Sequence, residues 1–298
     1  MPETARTINP GAEQWIDTPI SCLDHGFVML KDYMGGDEAI VQAARVSYGA
    51  GTKRVSDDKA LIGYLMRHAH TTPYEMVEFK FLMKLPIFVA RQVVRHRTAS
   101  INEISGRYSV LENEFYLPGE DEVRLQSKAN RQGSSDEEVP PELAREVVEY
   151  LRDEAARSYA GYERIMARGV ARELARIGLP LSLYTQWYWK IDLHNLLHFL
   201  RLRMDEHAQR ETRVYANAMA RIAKDAVPWT WEAFEEYQLG ARTFSRSELE
   251  VLGQLLRGEK VSLPEGLRKG GRRREFEAKL AGLGLDPTAM LPPGEKIG

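Results

Sequence analysis

The sequence predicts an α+β fold in which long helices pack on a modest, mostly antiparallel sheet. Two segments, 77–85 and 181–191, alternate apolar and polar residues as half-buried strands do. Segments with the helical period of about 3.6 residues lie between and after them, and the longest covers 142–168. No internal repeat at solenoid spacing is present, so we expect one α+β domain over residues 1–240.

The first predicted strand, VEFKFLMKL at 77–85, ends at Pro86. Its alternating apolar residues share one face: Val77, Phe79, Phe81, Met83 and Leu85. Because proline is tolerated at the first position of a helix, PIFVARQVVRH is predicted to start a helix at once. Gln92, Arg95 and His96 then fall near the C-terminal end of that helix.

The second predicted strand, LSLYTQWYWKI at 181–191, also leads into a helix. Its buried face is expected to carry Leu181, Leu183, Thr185, Trp187 and Trp189. Asp192 is suited to cap the following helix, LHNLLHFLRLR, whose core stripe is Leu196, Phe199 and Leu200. The polar residues His194, His198 and Arg201 lie off that stripe.

The other predicted helices cover residues 36–48, 56–70 with Ser56 as N-cap, 142–168, 171–178 and roughly 206–225. Residues 106–117 are predicted to form a strand or an extended hairpin, and 119–141 a polar, mobile excursion. Residues 241–298 are interpreted as a basic, glycine-rich C-terminal extension without an assigned role.

Composition limits the classes of function that the chain can have. Its 298 residues carry a formal net charge of −2, which argues against a surface that binds nucleic acid as a whole. Any anion site must therefore be a local cluster. The single cysteine, Cys22, excludes an intramolecular disulfide. No apolar run approaches the roughly 20 residues that span a bilayer, and no signal peptide is recognisable, so we expect a cytoplasmic protein without a membrane partner.

Residues 95–109, RHRTASINEISGRYS, form such a local cluster of cations. Three arginines and one histidine stand with a single acid, Glu103. Guanidinium groups offer planar forks of donors that suit phosphate and imide carbonyl oxygens. A solvated loop with ordinary surface arginines is the simpler interpretation. The predicted core elements on both sides favour a rigid binding site instead.

This stretch is similar to the signature of the flavin-dependent thymidylate synthases. The pattern RHRxxSxNExSxRYS is matched at every specified position. The resemblance extends in order over HTTPYE, PIFVARQ, ARELARIGLPLSLYTQWYW, LLHFLRLRMDEHAQRE and PWTWEAF, which together span roughly residues 20–238. It implies the α+β fold of that family and a homotetramer whose active sites are shared between subunits.

The implied reaction is the reductive methylation of dUMP to dTMP. The resemblance implies that 5,10-methylenetetrahydrofolate donates the carbon and that FAD, reduced by NADPH, supplies the hydride. The unrelated cysteine-dependent thymidylate synthases need a thiol nucleophile, whereas Cys22 lies outside every matched motif. A flavin removes that need because the cofactor carries out the difficult step.

The positions of this chain that match the family's motifs give the expected site residues. Those implied for the flavin are Thr72, Arg95, His96, Arg97, Glu103, Asp192, Leu193, His194 and His198. Those implied for dUMP are Gln92, Val93, Val94, Arg95, Glu103, Ile104, Ser105, Gly106, Arg107, Arg176 and Arg203. Arg203 is the implied catalytic residue, since an arginine beside the pyrimidine favours ionisation at N3 and raises electron density at C5.

Simpler interpretations exist for single residues. His194 and His198 have the i, i+4 spacing of a zinc site, but Asn195 stands where a metalloprotease helix carries glutamate, so no metal is expected. His70 and His198 taken alone resemble structural histidines, and Arg176 alone resembles a charge near a helix end.

Two other classes of function stay open on the residues alone. The arginine cluster and the GGRRR segment at 270–274 could bind a phosphate backbone, although the overall charge balance speaks against nucleic acid. A flavin-dependent oxidoreductase acting on another small substrate would keep the cofactor and lose the nucleotide. Flavin binding without a response to dUMP would favour that class.

Overall fold

The computed structural model describes residues 7–46, 57–127, 133–135 and 137–294. The chain divides into two compact units, Met1–Leu239 and Gly240–Gly298. Within the described ranges, no helix is both long enough and apolar enough to cross a membrane.

The first unit contains a five-stranded sheet in which every pairing is antiparallel. Its strands are β1 (Pro19–Cys22), β2 (Gly26–Met34), β3 (Glu78–Pro86), β4 (Ser100–Glu103) and β5 (Tyr184–Asp192). Their order in the sheet is β1-β2-β3-β5-β4, so β4 is an edge strand. The predicted α+β class with an antiparallel sheet is confirmed.

The sheet owes its stability to the alternation that the sequence displays. On β3, Phe79, Phe81, Met83 and Leu85 are all buried, and Phe81 lies opposite Trp189 of β5. Period-two apolar residues on neighbouring strands meet on one face, and burying each large side chain contributes about 1.5–3 kcal/mol. The two strands predicted from alternation therefore form the centre of the core.

Helices cover this sheet. Those of the first unit are α1 (Pro10–Glu13), α2 (Asp37–Val46), α3 (Asp58–Arg67), α4 (Ile87–Val93), α5 (Pro141–Ala167), α6 (Arg172–Ala175), α7 (Leu193–Arg203), α8 (Arg210–Ala226) and α9 (Pro228–Phe234). A π-helical turn, Glu235–Leu239, follows α9. The predictions of long helices at 142–168 and 193–203 are confirmed within one residue.

One buried carboxylate ties two helix starts together. Asp37, at the first position of α2, accepts hydrogen bonds from the backbone N–H groups of Trp229 and Thr230 and from the Thr230 hydroxyl. These N–H groups belong to the first turn of α9, which has no partner for them within the helix. The contact holds α9 in place, and α9 ends at Phe234, a residue of the candidate site.

Several predicted boundaries are wrong. Helix α4 ends at Val93, so Arg95 and His96 follow it in a loop, and the structure makes Ser100–Glu103 a strand that alternation could not reveal because all four residues are exposed. Residues 106–117 form a turn and a single bridge, Phe115 with Leu183, instead of a strand.

Five further expectations need correction or fall outside the described ranges. Leu181 is exposed because β5 begins only at Tyr184, after a turn closed by Leu183 N–H and the Pro180 carbonyl. Helix α8 begins at Arg210 and not near 206. Helix α3 has Asp57 at its N-cap position, while Ser56 and the predicted end of α2 at residue 48 lie outside the described residues, as does part of the segment 119–141.

The second unit has helices of its own where the sequence shows weak periodicity. They are α10 (Arg246–Leu256), α11 (Gly271–Ala281) and α12 (Pro287–Met290). A separate core holds them together, formed by Val251, Leu263, Leu267, Phe276, Leu280 and Leu291. Ser245 and Glu248 form a reciprocal capping box at the start of α10.

Candidate active site

A hydrogen bond joins two residues that the motifs place 107 positions apart. The Nε of Arg203, the last residue of α7, donates to Nε2 of His96 at 3.1 Å. Phe199, one turn earlier in α7, presents its ring edge-to-face to the His96 ring at a centroid distance of 4.8 Å. Helix α7 therefore holds the imidazole through two of its side chains.

Burial and neighbouring charge keep this imidazole neutral. Desolvation, followed by the positive charge of Arg203 and the nearby His198, lowers the pKa of His96 to about 4. At neutral pH Nε2 can then accept the hydrogen bond from Arg203, and the ring proton resides on Nδ1. Burial also lowers the pKa of Arg203, which nevertheless stays charged because guanidinium is a very weak acid.

A cavity of about 120 Å³ lies along α7, and His198 in its wall is a ring neighbour of His96. Its walls come from α3, the turn at Tyr74, α7, α9 and the π-helical turn: Met66, Tyr74, His194, Leu197, His198, Arg201, Phe234 and Gln238. Burial lowers the pKa of His198, whose ring lies 6.0 Å from that of His96. Within the described residues, no group of three or more His, Cys, Asp or Glu side chains could hold a metal ion.

These residues fit a flavin in chemical character. Leu197 and Phe234 offer apolar walls for part of a ring system, and the imidazoles of His194 and His198 offer hydrogen bonds to it. Arg95 and Arg97 are exposed next to His96 and have no acidic partner in the described part of the chain. Free guanidinium groups of this kind suit the phosphates of a dinucleotide.

A second group of predicted residues lies in the turn after β4. The backbone N–H groups of Tyr108 and Ser109 both donate to the Ser105 carbonyl at 3.0 Å. Gly106 is buried, and a Cβ there would lie 2.9 Å from Cδ1 of Leu111 and 3.2 Å from Cδ of Arg176. Glycine thus lets the turn approach Arg176 closely.

One ion pair and two hydrogen bonds hold this second group in place. Arg107 Nε lies 3.2 Å from a carboxylate oxygen of Glu173 on α6. Glu103, at the end of β4, accepts a hydrogen bond at 2.5 Å from the hydroxyl of Thr185 on β5. The backbone N–H of Ile104 donates to the Gln186 carbonyl and keeps the turn attached to β5.

The remaining predicted residues occupy varied environments. Gln92 Oε1 accepts from the hydroxyl of Thr212 at 3.1 Å, and its amide donates to Gln209. Val93 and Leu193 are fully buried, so their side chains belong to the core. Three more of the predicted site residues have exposed side chains: Thr72, Val94 and Ile104.

Asp192 is the N-cap residue of α7, as its position in the sequence predicts. One carboxylate oxygen accepts from the Asn195 backbone N–H and the other from the Asn195 side-chain amide. The predicted N-cap is thereby confirmed. A flavin contact for the same carboxylate stays a prediction.

The site residues fall into two groups within this chain. Gln92 to Arg97, His194, His198 and Arg203 gather around α4 and α7, whereas Glu103 to Arg107 gather with Arg176. Among the described residues, no hydrogen bond or ion pair joins one group to the other.

Nothing in the sequence indicated that Phe199, Thr185 and Gln238 belong to the site. A core aromatic residue, a strand threonine and a residue of a π-helical turn carry no signal of chemistry on their own.

The fold and the site define an α+β protein with an arginine-rich loop and a cavity lined by two histidines. Residues 29–229 match the family described as thymidylate synthase complementing protein. The chain is 57% identical over 262 residues to the flavin-dependent thymidylate synthase of Gluconobacter oxydans, covering 87% of this chain and 86% of that protein. It is 51% identical over 286 residues to the enzyme of the same name from Rickettsia bellii, covering 92% and 96%.

A solved structure gives the same result. A UMP/dUMP methylase, PolB from Streptomyces cacaoi bound with 5-Br UMP, superimposes with a TM-score of 0.66 at 32% identity, covering 74% of this chain and 98% of that chain. The chain belongs to the flavin-dependent thymidylate synthase family and is an enzyme of the methyltransferase class. The resemblance inferred from the motifs is confirmed.

Proposed function

We propose that this chain converts dUMP to dTMP, with 5,10-methylenetetrahydrofolate as carbon donor and NADPH as the source of reducing equivalents, in the synthesis of thymidylate. The observation that carries the proposal is the Arg203–His96 pair, whose imidazole neighbours His198 in the cavity wall, in a chain of this family. The pair offers a charged guanidinium to a pyrimidine at the edge of a site suited to a flavin.

Arg203 acts on the pyrimidine through its charge. It has no carboxylate partner among the described residues, so its positive charge is not neutralised within the chain. A guanidinium near O4 and N3 of uracil stabilises the N3 anion, and that anion is richer in electrons at C5. C5 can then attack the one-carbon unit without a covalent bond between substrate and enzyme.

FAD in its reduced form would supply the hydride that completes the methyl group. Its binding residues are proposed from the motif positions: Thr72, Arg95, His96, Arg97, Glu103, Asp192, Leu193, His194 and His198. Cys22 cannot take the role of a nucleophile on C6, because burial raises the pKa of its thiol to about 12. Its side chain lies in the core, only 1% exposed.

The turn after β4 is suited to the nucleotide phosphate and ribose. The backbone N–H groups of Ser105 and Gly106 have no acceptor in the described part of the chain, and Arg107 and Arg176 flank them. Adjacent N–H groups with arginines are a common arrangement for phosphate. Gln92, Val93, Val94, Arg95, Glu103 and Ile104 complete the proposed dUMP residues together with Arg203.

A second copy of the chain is proposed to complete each site. The separation of the dUMP residues into two groups supports a homotetramer with shared active sites, since one group can meet the other across an interface. Exposed apolar side chains border the second group: Ile104, Tyr108 and Ile177. Such residues are expected at a subunit contact.

The first experiment measures dTMP by chromatography with purified protein, FAD, NADPH, methylenetetrahydrofolate and dUMP, omitting one component at a time. We expect product only in the complete mixture. Flavin binding without product would favour an oxidoreductase acting on another substrate. Failure to bind flavin would overturn the proposed cofactor.

Replacement of Arg203 tests its role directly. R203A is expected to abolish turnover while the flavin absorbance of the purified protein is retained. R221A is the matched control, because Arg221 lies on α8 and stacks over Trp15, outside both groups. Turnover by R203A within tenfold of the wild type would refute the assigned role.

A further inference from the structure

His96 is held in one orientation by contacts on three sides. Its backbone N–H donates to the Val93 carbonyl at 3.0 Å, its ring packs edge-to-face on Phe199, and its Nε2 faces Arg203. These contacts favour a ring orientation in which Nε2 faces Arg203. The ring is therefore a hydrogen-bond acceptor for Arg203 as well as a predicted flavin contact.

We propose that His96 is a positioning residue for Arg203: its Nε2 accepts the Nε–H of Arg203 and so sets the direction in which the guanidinium presents its charge. This inference rests on the proposed function, because it concerns how Arg203 meets the pyrimidine. It differs from the motif-derived role of His96, which is contact with the flavin alone.

The geometry determines which edge of the guanidinium remains available. A guanidinium has one edge formed by Nε and one Nη and another formed by the two Nη groups. The Nε of Arg203 is engaged by His96, and its Nη groups have no acceptor among the described residues. The end bearing the two Nη groups is thus the one left for the oxygen and N3 of uracil.

The same contact makes His96 a link between the two ligands. With Nε2 occupied as an acceptor, Nδ1 carries the proton and has no partner in the described part of the chain. That N–H can donate to a carbonyl or ring nitrogen of the flavin. The lowered pKa of His96 supports this arrangement, because a protonated imidazole would lose its acceptor and repel Arg203.

Two substitutions distinguish the role of the hydrogen-bond acceptor of His96 from the role of its aromatic ring. H96F keeps an aromatic ring against Phe199 but removes the acceptor, whereas the amide oxygen of H96Q can accept from Arg203. We expect H96F to lower kcat about 100-fold with a change in KM for dUMP below about threefold, because misplacing a reacting group by about 1 Å costs this much. H96Q is expected to restore kcat to within about tenfold of the wild type.

A measurement without turnover tests the link to Arg203. Ionisation at N3 changes the ultraviolet absorbance of uracil, so binding of dUMP to the oxidised flavoprotein is followed by difference spectroscopy in wild type, H96F, R203A and the double variant. We expect the signal of the ionised pyrimidine to be lost in H96F and R203A, and the double variant to resemble R203A. H96Q should retain the signal.

The experiments distinguish a failure of this inference about His96 from a failure of the proposed reaction. If the wild type forms dTMP but H96F keeps its kcat, or if the double variant loses affinity for dUMP by the product of the two single effects, His96 does not act through Arg203. Flavin content and thermal unfolding of each variant show whether a loss comes from a missing cofactor or a damaged fold. A loss of kcat in H96Q equal to that in H96F, at normal flavin content, also overturns the inference.

Discussion

Thr185 on β5 donates a hydrogen bond to the carboxylate of Glu103 on β4, with an Oγ1 to Oε1 distance of 2.5 Å. Glu103 pairs with Trp187 in the register, so Thr185 is its diagonal neighbour on the same face. The threonine is buried and the glutamate is exposed. A rigid core residue thus holds the only acid of the arginine-rich segment.

Removal of this hydroxyl should weaken nucleotide binding. T185V keeps the shape of the side chain and removes the donor, and a hydrogen bond to a charged group contributes about 1.5–3 kcal/mol. We expect KM for dUMP to rise about tenfold. T185S, which keeps the donor, should stay close to wild type, and equal KM values for T185V and wild type would contradict a role in positioning Glu103.

Gly106 gives a second test of the turn. G106A would place a Cβ against Leu111 and Arg176, so we expect Arg176 to shift and KM for dUMP to rise severalfold. Gly161 on α5 is the matched control, since a Cβ there would meet no atom within 4 Å. G161A should leave KM unchanged and raise the free energy of unfolding by up to about 1 kcal/mol.

Asp192 should behave as a helix cap in a stability measurement. D192A removes the acceptor for Asn195 N–H, so we expect the free energy of unfolding in urea to fall by about 1 kcal/mol. D192N can still cap the helix and should recover most of that loss. Flavin affinity measured on the same variants tests the predicted cofactor contact separately: a normal affinity in D192A would contradict it.

Cys22 should be inert in the folded protein. Its burial and raised pKa predict that iodoacetamide at pH 8 leaves the native protein unmodified and its activity unchanged. In denaturant, mass spectrometry should find one added group, since the chain has one cysteine. Rapid labelling of the native protein would show that the thiol is accessible.

The free energy of unfolding should decrease as the pH falls from about 6.5 to about 4. In this window the unfolded imidazole of His96 binds a proton that the folded one does not, because its folded pKa is lowered to about 4. The unfolded state then holds more protons, so acid favours unfolding. H96Q should lose less stability over the same window, and parallel curves for the two proteins would contradict the lowered pKa.

The elements that were predicted correctly have strong local patterns. Alternation in β3 and β5 and the apolar stripe of α7 reflect burial on one face, which each segment requires wherever it lies in the fold. The anion site inferred from the motif residues of 95–109 stays a prediction. Edge strand β4 escaped prediction because its four residues are all exposed, and no element was predicted for hairpin β1–β2.

The sequence by itself determined the family, the α+β class and the central strands and supplied the proposed site residues, because side-chain chemistry and hydrophobic period are local properties of the chain. Tertiary structure decided which of those residues meet. The contacts of His96 with Arg203 and of Glu103 with Thr185 span 107 and 82 positions and exist only because the sheet and α7 bring distant segments together. The neutral state of His96 has the same origin, since its pKa depends on burial and on a charge contributed by another helix.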